Sequence, residues 1–327
     1  MDETLINAAV PLILEWYRVS TRDLPWRKER TFYTVLVSEI MLQQTRVEAV
    51  RERYVLFLQR FPTPAALAAA SEEEVLKMWE GLGYYSRARN LHKAAKVLAA
   101  QGCPSDFKGV RALPGVGDYT AGAICSIALG LPEPAVDGNV LRILSRLYAD
   151  GGNIDEPATR ARFSALLRAA YPSDTGDFCE ALMELGAIVC VPNGAPMCGA
   201  CPWRTLCRAH LAGEEERYPV RSEKKVRRVV EATVLVLRCG DRYALEKRPA
   251  KGLLAGLWQF PFFEGEIPVP GTPVAEKRAR HIFTHVEWRM HGMLVHVNAE
   301  DPRYVWATAD EIKRIYAVPS AFKAFME

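Results

Sequence analysis

From Leu5 to about Ala212, apolar residues recur at spacings of three and four, as over residues 34–50 and 71–79. This is the period of helices that bury one face. Prolines at positions 25, 62, 64, 104, 114, 132, 172 and 192 cut the pattern into segments, because proline interrupts the helical hydrogen-bond ladder. Ser71 followed by three glutamates reads as a helix start, with Glu74 at the capping-box position. Residues 213–228, GEEERYPVRSEKKVRR, are charged and poorly apolar, which predicts a linker. Beyond it the period shortens toward two. Residues 229–237 are rich in valine, Cys239-Gly-Asp-Arg has hairpin-turn chemistry, and residues 243–247 return as a strand. Residues 282–297 alternate in places, 304–306 read as a short strand, and 309–316 and 320–326 as helices. The pattern predicts a multidomain chain: an all-α domain over 1–212, a linker over 213–228 and a small α+β domain over 229–327.

A length of 327 residues suits two domains. The net charge of +3 is too small to point to nucleic acid by itself, so any basic surface must be local. No apolar run is long enough to span a membrane, and the N-terminus lacks a signal-peptide pattern. The expectation is a reducing, intracellular setting, where eight cysteines read as free thiols and metal ligands rather than disulfides.

Cys190, Cys198, Cys201 and Cys207 follow C-x7-C-x2-C-x5-C. Four thiolates in one loop suit tetrahedral zinc or a [4Fe–4S] cluster. Structural zinc favours two close pairs. Here one C-x2-C pair has spread flanks, which suits the cubane better. Cys103, Cys125, Cys179 and Cys239 have no partner at ligand spacing and read as packing thiols. Within residues 110–130, Leu113-Pro-Gly-Val-Gly117 opens a small-residue helix. Its glycines tolerate positive φ, and the backbone of Gly115, Val116 and Gly117 offers free N–H groups to a phosphate. A tight interhelical turn, with Gly122 and Ala123 packed on a neighbour, explains the same residues equally well. Asp137, in Asp-Gly-Asn, has N-cap chemistry for a helix starting near Val140. Glu39 stands in an apolar helical run with Val37, Ile40 and Met41, where burial raises a carboxyl pKa. A mid-helix glutamate is otherwise most often a solvated surface residue.

The order of turn, aspartate and four-cysteine loop resembles that of the helix-hairpin-helix base-excision DNA glycosylases, and among them the MutY family of adenine glycosylases. Leu24-Pro-Trp-Arg27, Ser38-Glu-Ile-Met-Leu-Gln-Gln-Thr45, Trp79-Glu-Gly-Leu-Gly-Tyr-Tyr85, Ala181-Leu-Met-Glu-Leu-Gly186, Leu254-Ala-Gly-Leu-Trp258 and Phe283-Thr-His285 carry the resemblance across nearly the whole chain. It implies a helix-hairpin-helix glycosylase domain with an iron–sulfur loop, followed by a Nudix-like domain. It also implies a [4Fe–4S] cluster on the four cysteines, and a monomer that acts on double-stranded DNA with A:8-oxoG or A:G mispairs, in the cytoplasm (at the nucleoid if bacterial).

By the same resemblance, Glu39 is the acid that protonates the departing adenine, and Asp137, kept ionised at its helix start, stabilises the oxocarbenium-like sugar. Tyr119 and Asn139 hold Asp137 and water. Leu24, Trp26, Arg27 and Glu180 form the base pocket, with Glu180 on the adenine amino group. Gln44 and Tyr84 enter the duplex as the base is flipped out. Thr284 and His285 face the damaged guanine. Arg87, Arg89 and Lys93 either meet phosphates or form a solvated face. Tyr119 stands where bifunctional relatives carry a Schiff-base lysine, which implies base removal without strand cleavage. The alternatives are an endonuclease III-like glycosylase/lyase and a non-catalytic mismatch-binding protein. The second domain lacks the G-x5-E-x7-R-E-x2-E-E-x-G box of Nudix hydrolases and reads as a binding module. The chain departs from the family pattern in the x7 cysteine spacing, in Asp118 for arginine, in Thr284 for serine and in a short segment at 264–277.

Overall fold

The computed structural model describes residues 2–223 and 226–326. They fall into two compact units, one of residues 2–68 with 93–223 and one of residues 69–92 with 226–326. The helices in chain order are α1 Glu3–Ser20, α2 Phe32–Leu42, α3 Val47–Arg60, α4 Pro64–Ala69, α5 Glu72–Met78, α6 Ser86–Gln101, α7 Phe107–Arg111, α8 Asp118–Ala128, α9 Gly138–Tyr148, α10 Pro157–Ala169, α11 Thr175–Ile188 and α12 Arg208–Leu211. None is long and apolar enough to cross a membrane.

The first unit is organised around α2 and a core shared by α1, α9, α10 and α11. Residues 32–41 of α2 are all buried, so this is an interior helix rather than an amphipathic one. Thr31 caps it by accepting from Thr34 N, and the Thr34 side chain returns the bond to Thr31 N. The unbroken apolar spacing over 34–50 does not make one helix. The chain turns at residues 43–46, where Gln44 takes φ +55° and Gln43 Nε2 donates to Thr120 Oγ1 at 3.1 Å. The core closes on α1 through Trp203, whose indole N–H donates to Ala9 O at 2.8 Å.

The charged stretch expected as a linker packs over its first part. Arg146 Nε, on buried α9, donates to Glu215 O and Tyr218 O at 2.9 and 3.0 Å, and Ile154 N donates to Val220 O at 3.0 Å. Backbone carbonyls satisfied by a buried guanidinium hold this segment on the helical unit, which sequence polarity cannot reveal.

The second unit is a mixed sheet with strands β1 Arg228–Cys239, β2 Arg242–Lys247, β3 Trp258–Gln259, β4 Phe262–Glu264, β5 Ala275–Ile282, β6 Val286–His296 and β7 Val305–Thr308, followed by α13 Ala309–Arg314 and a 3₁₀ turn at Ser320–Phe325. The order is β3-β2-β1-β6-β5, with β1 and β6 parallel from Arg228↔Val286 to Arg238↔His296 and the other pairs antiparallel. The two-residue turn after Cys239 uses Gly240 at φ +60°, as its hairpin chemistry requires. Residues 282–297 are not one strand: β5 and β6 form a hairpin whose tip is Phe283, Thr284 and His285, with Phe283 N donating to Val286 O. Strand β5, AEKRARHI, is an edge strand rich in charge, which explains why alternation did not mark it. One sheet face packs Trp288, Met290 and Phe260 against Phe322 and Phe325. The helices α5 and the first turns of α6 belong to this unit although they precede it by more than a hundred residues. Between β4 and β5 the described residues contain no helix, so the place of a Nudix box helix is taken by a loop.

Candidate active site

The helix-hairpin-helix turn forms between α7 and α8. Gly115 takes φ +78°, which only glycine adopts freely, whereas Gly117 is extended (φ −94°, ψ 178°) and caps α8 without a side chain. The α8 N-terminus is therefore free of a side-chain cap. Asp118 at its first position is paired with Arg111 Nε at 2.5 Å, and Arg111 also donates to Val116 O. The carboxylate at this unexpected position is thus neutralised by the preceding helix. Gly122, in α8, lies so close to residue 134 that a Cβ would sit 2.3 Å from the Pro134 carbonyl oxygen. That contact fixes the strand of chain leading into Asp137.

Asp137 is the N-cap of α9. Its Oδ1 accepts from Val140 N at 2.8 Å and its Oδ2 from Asn139 Nδ2 at 2.9 Å. Arg142 Nη2 donates to Asn139 Oδ1 and to Gly186 O at 2.8 and 2.7 Å, which sets the amide orientation. Gly186 of α11 is needed there, since a Cβ would meet Asn139 Cβ at 2.6 Å. The helix start does not by itself keep Asp137 at an ordinary carboxyl pKa. Burial raises it, against the lowering hydrogen bonds of Val140 and Asn139 and the charge of Arg142.

Glu39 is buried on α2, at 5% exposure. Desolvation, reinforced by the Glu180 and Asp137 carboxyls, pushes its pKa up to about 7, against a hydrogen bond from Tyr119. Its Oε2 has no hydrogen-bond partner among the described residues. Tyr119, in the first turn of α8, is half-buried between Glu39 and Met183, with its hydroxyl 3.6 Å from Met183 Sδ. A buried, unpartnered carboxyl oxygen is costly unless the group is protonated or meets a ligand.

These groups line one cavity of about 210 Å³, together with Leu24, Trp26, Arg27, Asn139, Glu180 and Glu184. Trp26 is buried edge-on to Tyr54 at 5.7 Å between ring centroids. Glu180 is already engaged: Tyr17 donates to its Oε2 at 2.6 Å and Arg30 at 2.5 Å. Arg27 is directed into the protein, donating to Glu184 Oε2 at 2.8 Å and to Thr21 Oγ1 at 2.8 Å. Glu184 was quoted in a motif but not singled out by sequence reasoning. Its buried carboxylate also takes Nε, Nη2 and the backbone N–H of Arg22, and although burial alone raises its pKa, the arginine bonds bring it down to about 2. The spacing of Glu180 and Glu184 on one helix face was the available signal.

Gln44 is exposed at the α2–α3 turn. Tyr84, Thr284 and His285 belong to the second unit and are also exposed. There Tyr84 takes φ +46°, and its hydroxyl lies 2.6 Å from Thr284 Oγ1. A cavity of about 370 Å³ is lined by Tyr84, Leu254, Phe283, Thr284 and His285. Arg87 and Arg89 do not form a phosphate-facing row. Arg87 is buried, and Arg89 donates to Glu72 and to Ala255 O, both at 2.8 Å.

Cys190, Cys198, Cys201 and Cys207 line one small space with Arg146, His210 and Glu215. Arg146 Nη1 lies 3.2 Å from Cys190 Sγ, supplying positive charge to a thiolate. A tetrahedral zinc with Zn–S of about 2.3 Å holds its sulfurs about 3.8 Å apart. Among the described residues, Cys198, His210 and Glu215 bring three donor atoms within 4.8 Å of one another beside this space.

The sequence of the helical core matches a model of the HhH-GPD superfamily of base excision DNA repair proteins over residues 37–169, and residues 232–327 match a NUDIX domain model. A protein of Homo sapiens named adenine DNA glycosylase is 34% identical, over 98% of this chain and 74% of its own length. The chain belongs to the adenine DNA glycosylase family. A family member from Arabidopsis thaliana is 42% identical over 76% of this chain, which spans 46% of that relative's length. The solved structure of a thermostable thymine-DNA glycosylase superposes with a TM-score of 0.58 at 28% identity, covering 64% of this chain and 98% of its own. In this family member, then, a helical helix-hairpin-helix glycosylase domain precedes a Nudix-like α+β domain.

Proposed function

We propose that this chain is a monofunctional DNA glycosylase that removes adenine mispaired with 8-oxoguanine or guanine, within base excision repair. The observation that carries the reading is a buried carboxyl, Glu39, and a half-buried one, Asp137, on the wall of one cavity and in different hydrogen-bonding states. Glu39 has a pKa of about 7 and a bare oxygen, so at neutral pH about half of the molecules carry a proton there that can pass to a ring nitrogen of adenine. As the bond from the sugar carbon to adenine breaks, its electron pair leaves with the base and the sugar becomes cationic. Asp137, held by Val140 and Asn139, faces that charge as a carboxylate. Water then adds to the sugar carbon and releases its proton, leaving free adenine and an abasic site. Tyr119 has no amine, so no Schiff base forms and the strand stays intact. Leu24, Trp26 and Glu180 wall the base pocket. Arg27 acts there through Glu184. Gln44 and Tyr84 fill the gap in the stack, Thr284 and His285 read the opposite base, and the turn at Gly115, Val116 and Gly117 binds a phosphate.

The four cysteines line one space, and their single C-x2-C pair with spread flanks suits a [4Fe–4S] cluster better than the two-pair grip of structural zinc. A bound cluster supplies a four-point cross-link of the loop. Iron and acid-labile sulfide near four each per chain support this assignment, and one zinc per chain overturns it. The function is tested by single-turnover release of adenine from A:8-oxoG, A:G and A:T duplexes, with sodium borohydride present in a parallel reaction. Release from the first two without a trapped adduct is expected. Trapping of a protein–DNA adduct, or tight binding without release, refutes it.

A further inference from the structure

The loop that presents Tyr84 is built from left-handed backbone. Gly81 and Gly83 take φ +96° and +69°, and Tyr84 itself takes φ +46°, a conformation unfavourable for any residue with a Cβ. Such a residue persists only where its surroundings over-determine it; the Tyr84 hydroxyl meets Thr284 Oγ1 at 2.6 Å, and the backbone is held from beneath. Arg87 Nη2 donates to Leu82 O at 2.8 Å and to Gly83 O at 3.0 Å. Trp79 Nε1 donates to Gly83 O at 3.0 Å. The Arg87 guanidinium lies 5.4 Å from the Trp79 ring centroid and 5.5 Å from that of Tyr84. Arg87 is only 8% exposed while Tyr84 is 47% exposed. The cation therefore lies beneath the loop, with the tyrosine ring above it.

We propose that Arg87 is a positioning residue which holds the backbone at Leu82 and Gly83 and supports the Tyr84 ring, so that the ring is presented to the duplex before DNA arrives. The inference rests on the proposed insertion of Tyr84 into DNA. Burial brings the Arg87 pKa down to about 10, so it stays charged through the neutral range while being almost wholly withdrawn from solvent. Preorganisation of this kind raises affinity by removing the ordering cost from the binding step. Lysine keeps the charge and can donate to the same carbonyls, but it has no planar guanidinium to lie against the Trp79 and Tyr84 rings.

The test is a double-mutant cycle read as Kd for an A:8-oxoG duplex carrying a non-hydrolysable adenine analogue, with Arg87→Gln, Tyr84→Ala and the pair. Arg87→Gln is expected to weaken binding about tenfold, roughly 1.4 kcal/mol, and to have no further effect once Tyr84 is alanine. Equal loss in both backgrounds overturns the proposal. A salt dependence of Kd shallower by about one unit in Arg87→Gln means a phosphate contact instead, and also overturns it. Amide exchange of residues 81–84 in the DNA-free protein reads the hold directly: it should accelerate in Arg87→Gln and, less, in Arg87→Lys, while exchange in α2 and β1 stays at the wild-type rate. Acceleration everywhere marks a general loss of fold and counts against the proposal. A Tyr84→Ala variant that binds as tightly as wild type refutes insertion of Tyr84, and the exchange result then stands by itself.

Discussion

Replacing Glu39 with glutamine should abolish adenine release and, above neutral pH, make the protein more stable. In the folded chain the Glu39 carboxyl has its pKa raised from 4.5 to about 7 by burial. A raised carboxyl pKa means that the native state holds the proton more tightly than the unfolded state. Stability from this group is intact below pH about 4.5, declines as pH rises, and is lost above about 7. A shift of about 2.5 units at about 1.4 kcal/mol each gives a penalty of about 3 kcal/mol in the fully ionised range. Glutamine carries no charge and has nearly the same shape, so it escapes the penalty. Denaturant unfolding of both proteins at pH 5 and pH 8.5 should show near-equal stability at the first pH and the variant ahead by up to about 3 kcal/mol at the second. Release of adenine should fall by at least about a hundredfold, the usual contribution of a general acid. A stability difference that is the same at both pH values refutes the desolvated carboxyl, and with it the reason Glu39 holds a proton at neutral pH.

Asp137→Asn tests the hydrogen bonds of Asp137, since burial raises this carboxyl's pKa as well. The new amide nitrogen faces Asn139 Nδ2 or Val140 N, both donors, so stability should fall by about 1 kcal/mol, read by thermal melting, while release is lost. The single-turnover rate should follow a bell in pH. Its acid side is set by Asp137, whose pKa lies above its ordinary 3.8, and its basic side by Glu39 near 7; a rate constant flat from pH 7 to 9 contradicts this. Glu184→Gln should cost about 2 kcal/mol at pH 7 by leaving Arg22 and Arg27 without their carboxylate. Because the Glu184 pKa is lowered to about 2, the wild type loses this advantage as pH falls from about 4.5 toward 2, so the two proteins should converge in melting experiments near pH 3.

Where composition and spacing bear directly on burial, the chain was readable. The apolar run around Glu39 predicted a buried helix, and residues 32–41 are all buried. Asp137 had the chemistry of an N-cap and is one. The cysteine spacing predicted a shared loop site, and the four line one space. What depended on pairing at long range was not readable. Arg22 and Arg27 meet Glu184 across more than 150 residues, and nothing in the local pattern of either end marks the partner. Asp118 stood out as an uncompensated charge until its place beside Arg111 was known. The helix break at 43–46 was hidden because the turn preserves the apolar period, and β5 because a solvated edge strand has no apolar face to alternate. The assignment of residues 69–92 to the C-terminal unit is a property of contacts alone.

In the proposed reaction Glu39 and Asp137 together cut the bond between adenine and its sugar and leave the strand whole. The most direct measurement is a single-turnover reaction on an A:8-oxoG duplex, following free adenine by chromatography and the strand by denaturing gel before and after alkali. Stoichiometric adenine, cleavage of the strand only after alkali, and neither product from Glu39→Gln are expected. Strand cleavage without alkali, or adenine release undiminished in Glu39→Gln, would contradict the proposed reaction.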